Sequence, residues 1–131
     1  MFQWEDFRDV AEELLAHSGE AYTRCAISRQ YYSLFGSIRE YLINVMHKYQ
    51  FKERNDIHER IYKELIASNN SNEYEIGEII GFLRKMRNHA DYDSDLECQM
   101  YFEENLDKML EDLEIAFNSL NFLKENPPYN L

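Results

Sequence analysis

The sequence predicts an all-α domain: an up-down bundle of four to five helices, two of them long and antiparallel. Three observations carry this reading. Apolar residues recur at three- and four-residue intervals along most of the chain, and no segment alternates with period two. Only 4 Gly and 2 Pro fall among 131 residues, and both prolines, Pro127 and Pro128, stand near the end, so long stretches hold no helix breaker. Hydrophobic residues make up 44% and aromatics 15%, which supplies a core and argues against disorder.

Each helix has its own signal. The first is expected over about Trp4–His17, with Phe7, Val10, Ala11, Leu14 and Leu15 on one face and Ser18-Gly19 ending it. A long second helix is expected over about Ala21–Tyr49, with Ala26/Ile27, Tyr31, Leu34/Phe35, Ile38 and Tyr41/Leu42 at helical spacing. Residues 50–55 form a polar connection. Asp56 with Glu59 three residues later matches a capping box and opens a short third helix to about Ala67. Ser68-Asn69-Asn70-Ser71-Asn72 is a loop. The fourth helix, about Glu73–Ala90, turns Ile76, Ile79/Ile80, Leu83 and Met86 inward, and Tyr92-Asp93-Ser94 breaks it. The fifth, about Asp95–Leu123, carries Phe102, Leu106, Met109/Leu110, Leu113 and Phe117. One domain over residues 1–124 with a loose tail over 125–131 is expected.

Composition narrows the setting. Cys25 and Cys98 lie far apart without CxxC spacing, which fits a reducing compartment and neither a disulfide framework nor a zinc motif. The N-terminal residues lack the basic and apolar regions of a secretory signal, and no apolar run approaches bilayer length. A cytoplasmic protein without a membrane partner is expected. The net charge of −11 is uneven: residues 93–131 hold 10 Asp/Glu against 2 Lys, and all eight arginines precede them. Such a field repels nucleic acid at long range and disfavours a generic duplex binder, but leaves room for a local arginine site. The acidic face of the fifth helix (Glu103, Glu104, Asp107, Glu111, Asp112, Glu114) reads as solvated, with docking of a basic partner as the alternative.

The densest polar chemistry is Arg84-Lys85-Met86-Arg87-Asn88-His89-Ala90-Asp91-Tyr92-Asp93, at the end of the fourth helix. A second stretch, Ala26-Ile27-Ser28-Arg29-Gln30-Tyr31-Tyr32-Ser33-Leu34-Phe35, lies in the second helix. From residues alone, Arg87 and Asp91 read first as an i,i+4 ion pair at a helix end. Arg29 and Tyr32 read as a tie between the second and fourth helices through Asp91. Tyr31 reads as core, and His58 as a polar first-turn residue. At about 100° per residue, Arg84 and His89 stand roughly 140° apart on an unbroken helix. They meet only if the helix unwinds near Asn88 or if His89 faces a second protomer's arginine.

Other chemistries are poorly supplied. Asp91-x-Asp93-x-Asp95 lacks the glycine and closing glutamate of a calcium loop. Glu13 and His17 find no further metal ligands, and no Gly-rich phosphate loop is present.

The two polar stretches, with Ala11-Glu12-Glu13-Leu14-Leu15 before them and His58 between them, resemble the HEPN superfamily of small helical bundles over nearly the whole chain. Arg84-(Lys-Met-Arg-Asn)-His89 fits that family's arginine–four residues–histidine spacing. The resemblance implies a metal-independent ribonuclease without cofactor, acting as a toxin or defence effector on RNA. Its site would be shared across a homodimer, and its companion is commonly a nucleotidyltransferase antitoxin. Arg84 and His89 would be catalytic, with Arg87, Asn88, Asp91, Tyr92, Arg29 and Tyr32 binding substrate or supporting. Members without the motif serve as binding modules for a protein or nucleotide, which is the alternative. One departure concerns control by modification: many antitoxin-paired members have a tyrosine two residues after the histidine, where this chain has Asp91, with Tyr92 one later.

Overall fold

The apolar periodicity resolves into five α-helices among the described residues, 1–129 of a computed structural model. These are α1 (Asp6–Leu15), α2 (Glu20–Glu40), α3 (Ile57–Ile66), α4 (Ser71–Tyr92) and α5 (Leu96–Glu125). Residues 130 and 131, the end of the expected loose tail, lie outside the described residues. No described helix is long and apolar enough to cross a membrane.

α2 is the central element, packed against α1, α4 and α5, while α3 lies on α4 and α4 on α5. Its centrality explains why Ser33 and Ser37 are buried beside Ile27, Leu34 and Ile38. Their hydroxyls donate back to the carbonyls of Gln30 and Ser33, both at 2.7 Å, so neither hydroxyl is stranded. Gly36 makes room for the N-terminal aromatic cluster: a Cβ there would sit 2.0 Å from the Trp4 ring. Trp4, Phe7 and Phe2 pack edge to face around that contact.

The long second helix ends earlier than its spacing predicts. After Glu40 the chain makes one π-helical turn, Tyr41–Val45, and then a 3₁₀ turn, Tyr49–Lys52. Tyr41, Leu42 and Ile43 on this π-helical turn are all buried. The wider turn is closed by Met46 N–H donating to the Tyr41 carbonyl at 3.1 Å. Arg39 and Arg60 then clamp the connection by donating to the carbonyls of Phe51 (2.8 Å) and Gln50 (2.7 Å).

The expected capping box at Asp56 and Glu59 does not form. Asp56 has φ +52°, a left-handed conformation incompatible with an extended N-cap, and its side chain makes no cap bond. Glu59 turns instead to Arg84 and Lys63. Two unforeseen caps serve the longer helices. Asn70 Oδ1 accepts the Glu73 N–H at 3.0 Å, and Asp95 Oδ1 accepts the Cys98 N–H at 2.9 Å.

Candidate functional site at the end of the fourth helix

α4 stays helical through Tyr92, so the helix does not unwind near Asn88 and the expected angular separation of Arg84 and His89 holds. The polar residues of this helix divide among three neighbours.

Arg84 leans toward α3. Its Nη1 donates to Glu59 Oε2 at 3.0 Å, and the side chain is about one-third exposed. The guanidinium beside it, with Lys63 next, holds the Glu59 carboxyl below its ordinary pKa.

Arg87 points inward toward α2 and is buried. Its guanidinium lies over the rings of Tyr31 (5.1 Å) and Tyr32 (5.5 Å), and it meets Asp91 Oδ2 at 3.5 Å and the Tyr32 hydroxyl at 3.4 Å. The Arg87–Asp91 ion pair is therefore present. The tie between α2 and α4 runs through Tyr32 and Arg87. Arg29, by contrast, stacks over Phe7 and Tyr32 at 5.0 and 5.4 Å and has no bond to Asp91 among the described residues.

The histidine closest to this arginine pair in its electrostatics is His58. Its ring stacks 4.2 Å from Phe35, and its Nδ1 lies 2.6 Å from the Tyr31 hydroxyl. Burial, then Arg87 and Arg84, lower its pKa to about 4. Burial raises that of Tyr31 despite the two arginines. At neutral pH the ring is uncharged, Tyr31 donates, and Nδ1 accepts. His58 is thus a packed hydrogen-bond acceptor and more than a polar first-turn residue.

His89 faces α5. Its Nδ1 lies 2.6 Å from Asp93 Oδ2, and its ring meets Tyr101 edge to face at 5.3 Å. Cys98 Sγ stands 3.5 Å from the same Nδ1 and 3.8 Å from Asp93 Oδ2. Burial, then Asp95 and Asp93, push the Cys98 thiol up to about 11, so it is no nucleophile at neutral pH. With Asp93 accepting from Nδ1, the His89 proton sits on that nitrogen. Nε2 makes no hydrogen bond among the described residues and is left as a base.

Arg84, Lys85, Asn88, His89 and Asp93, with Gly81, nevertheless line one open depression of about 410 Å³. Within it Arg84 is turned to Glu59 of α3, while His89 is turned to Asp93. Lys85 Nζ sits 5.5 Å over the Tyr101 ring that also contacts His89. Asn88 is exposed, and Tyr92 is 76% exposed, outside this depression.

Arg24 fixes the turn that follows. Its Nη1 donates to the carbonyls of His89 (3.1 Å), Ala90 (3.0 Å) and Asp93. The His89 carbonyl also accepts the Asp93 N–H at 3.1 Å, and one guanidinium from α2 ties the three carbonyls of this helix end together. Asp93, Cys98, Arg24 and His58 were not read from the sequence as parts of a site. Asp93 carried a weak signal, a carboxylate four residues after His89 at the expected helix end. The other three meet the site through tertiary packing.

No protein-family model, curated protein or solved structure matches the chain.

Proposed function

We propose that the chain is a metal-independent endoribonuclease of HEPN type, a toxin or defence effector that cleaves RNA. The observation that carries the proposal is the depression in which Arg84, Lys85, Asn88 and His89 stand together with His89 oriented by Asp93. Cleavage without a metal needs a base to take the 2′-hydroxyl proton, cations for the phosphate charge, and an acid for the leaving oxygen. Nε2 of His89 takes the proton. The 2′-oxygen bonds to phosphorus, the bond from phosphorus to the 5′-oxygen breaks, and that oxygen receives a proton. The products are a cyclic phosphate and a 5′-hydroxyl. Arg84 and Lys85 supply the charge facing the phosphate, and Asn88 positions the strand. Accessible 2′-hydroxyls and unstacked bases make single-stranded loops the preferred substrate.

The 5′-oxygen's acid and the arginine facing the phosphate come from a second copy. Within one protomer Arg84 turns toward α3 and His89 toward α5, so a homodimer that sets one protomer's Arg84 against its partner's histidine completes the site. Mixing two single variants tests this. Arg84→Ala and His89→Ala homodimers are each expected to be inactive. Co-refolded mixtures are expected to regain roughly a quarter of wild-type activity through heterodimers holding one intact composite site. Mixtures as inactive as the parents would contradict a shared site.

A second reading has its own observation. Tyr92, Leu96 and Met100, spaced four residues apart, are exposed where α4 passes into α5, and Arg84 and Arg87 are each paired with a carboxylate of the same chain. This suits a non-catalytic module that binds a partner protein, such as a nucleotidyltransferase antitoxin, or a nucleotide. A stoichiometric complex unaffected by His89→Ala, with RNA left intact, would favour it.

A further inference from the structure

The cluster of His89, Asp93 and Cys98 draws three different metal-ligating atoms to one point, from α4, the residue that follows it, and α5. Nδ1, Oδ2 and Sγ all lie within 4.8 Å of one another. We infer that these three side chains form a binding site for one divalent transition metal ion of the zinc class, with an open fourth position.

The distances carry the inference. Around a tetrahedral zinc ion, ligand atoms at the usual bond lengths stand about 3.4 Å apart for a nitrogen–oxygen pair and about 3.6 Å apart for pairs with sulfur. Nδ1 to Sγ is 3.5 Å and Oδ2 to Sγ is 3.8 Å, so two of the three edges already have that size. Only the Nδ1–Oδ2 edge, 2.6 Å, is short, because a shared proton holds it closed. Replacing that proton by an ion requires it to open by about 0.8 Å, within reach of a χ1 or χ2 adjustment of Asp93.

The surroundings favour a built site over a chance cluster. Cys98 is buried, so one ligand is fixed from below, while the Asp93 side chain is 44% exposed and leaves the ion a way in. The backbone carrying all three ligands is anchored twice. Arg24 binds the carbonyls of His89, Ala90 and Asp93, and Asp95 caps the α5 turn that begins the Cys98 segment. One thiolate, one imidazole and one carboxylate select zinc, cobalt or nickel over magnesium and calcium, which take all-oxygen shells.

The inference stands apart from the nucleolytic proposal, because binding is measured without RNA. The two are linked only by occupancy. An ion on Nδ1 leaves the His89 proton on Nε2, which then donates and no longer accepts.

Cobalt(II) titration of the Cys25→Ser protein tests the site, since Cys98 is then the one thiol. One equivalent is expected to give a near-ultraviolet thiolate-to-cobalt charge-transfer band with visible d–d bands of tetrahedral intensity, both removed by equimolar zinc. Cys98→Ser is expected to abolish the charge-transfer band. Asp93→Asn, at a partly exposed position where the fold tolerates the change, is expected to weaken binding at least about tenfold. A folded protein that gives no such band, a band that survives Cys98→Ser, or an affinity unchanged by Asp93→Asn would overturn the assignment.

Discussion

His89 Nδ1 and Asp93 Oδ2 lie 2.6 Å apart, one helical turn from each other, where α4 gives way to α5. The pair fixes which imidazole nitrogen carries the proton. It thereby turns an otherwise rotatable histidine at a helix end into one with a defined free nitrogen.

Asp93 is a positioning residue on this account. Asp93→Asn keeps the size of the side chain but offers an amide that can also donate, which allows the opposite tautomer. RNA cleavage is expected to fall by roughly 10²-fold, with kcat carrying the loss and the acid limb of the pH profile moving. A purely structural role would lower stability and leave the profile in place. Kinetics across pH 5 to 9 on folded protein separates the two.

Arg24 is expected to matter for stability and for order at the site. Arg24→Gln leaves the carbonyls of His89, Ala90 and Asp93 without their shared donor. A loss of about 1–3 kcal/mol in urea unfolding is expected. Amide exchange over residues 89–95 is expected to quicken more than exchange in α2. Uniform protection would show that the turn does not depend on Arg24.

His58 gives a pH signature of the fold. Its folded-state pKa is depressed to about 4 from 6.5, so the unfolded chain binds its proton first as pH falls. Its contribution is fully present above about pH 6.5 and is lost progressively toward pH 4, amounting to roughly 2–3 kcal/mol. Many carboxylates titrate in the lower part of this window, so the comparison is with His58→Gln. The difference in stability between wild type and variant is expected to shrink by that amount between pH 7 and pH 4. An unchanged difference would mean that His58 is not held neutral by the fold.

The helices were legible because their signal is local. Apolar spacing placed α1, α4 and α5 within a few residues of their ends, since each buries one face at a 3.6-residue period. The second helix was over-extended because Tyr41–Ile43 continues the helical apolar stripe and gives no local sign of the π-helical turn it makes. The Asp56 cap failed for a similar reason: the Asp-x-x-Glu pattern is read without knowing that Arg84 will claim Glu59. Within the site, the Arg87–Asp91 pair was legible as an i,i+4 spacing. The partnership of Cys98 with His89 crosses the break between two helices, and that of Arg24 with the α4 terminus spans more than sixty residues. Neither leaves a periodic trace.

The most direct measurement is cleavage of a single-stranded RNA by purified protein in excess EDTA, comparing wild type with His89→Ala of verified fold. The account predicts cleavage by the wild type leaving a cyclic phosphate, lowered by roughly 10²–10⁴-fold in the variant. Intact RNA with wild-type protein shown to be folded and dimeric, or equal cleavage by both proteins, would contradict it.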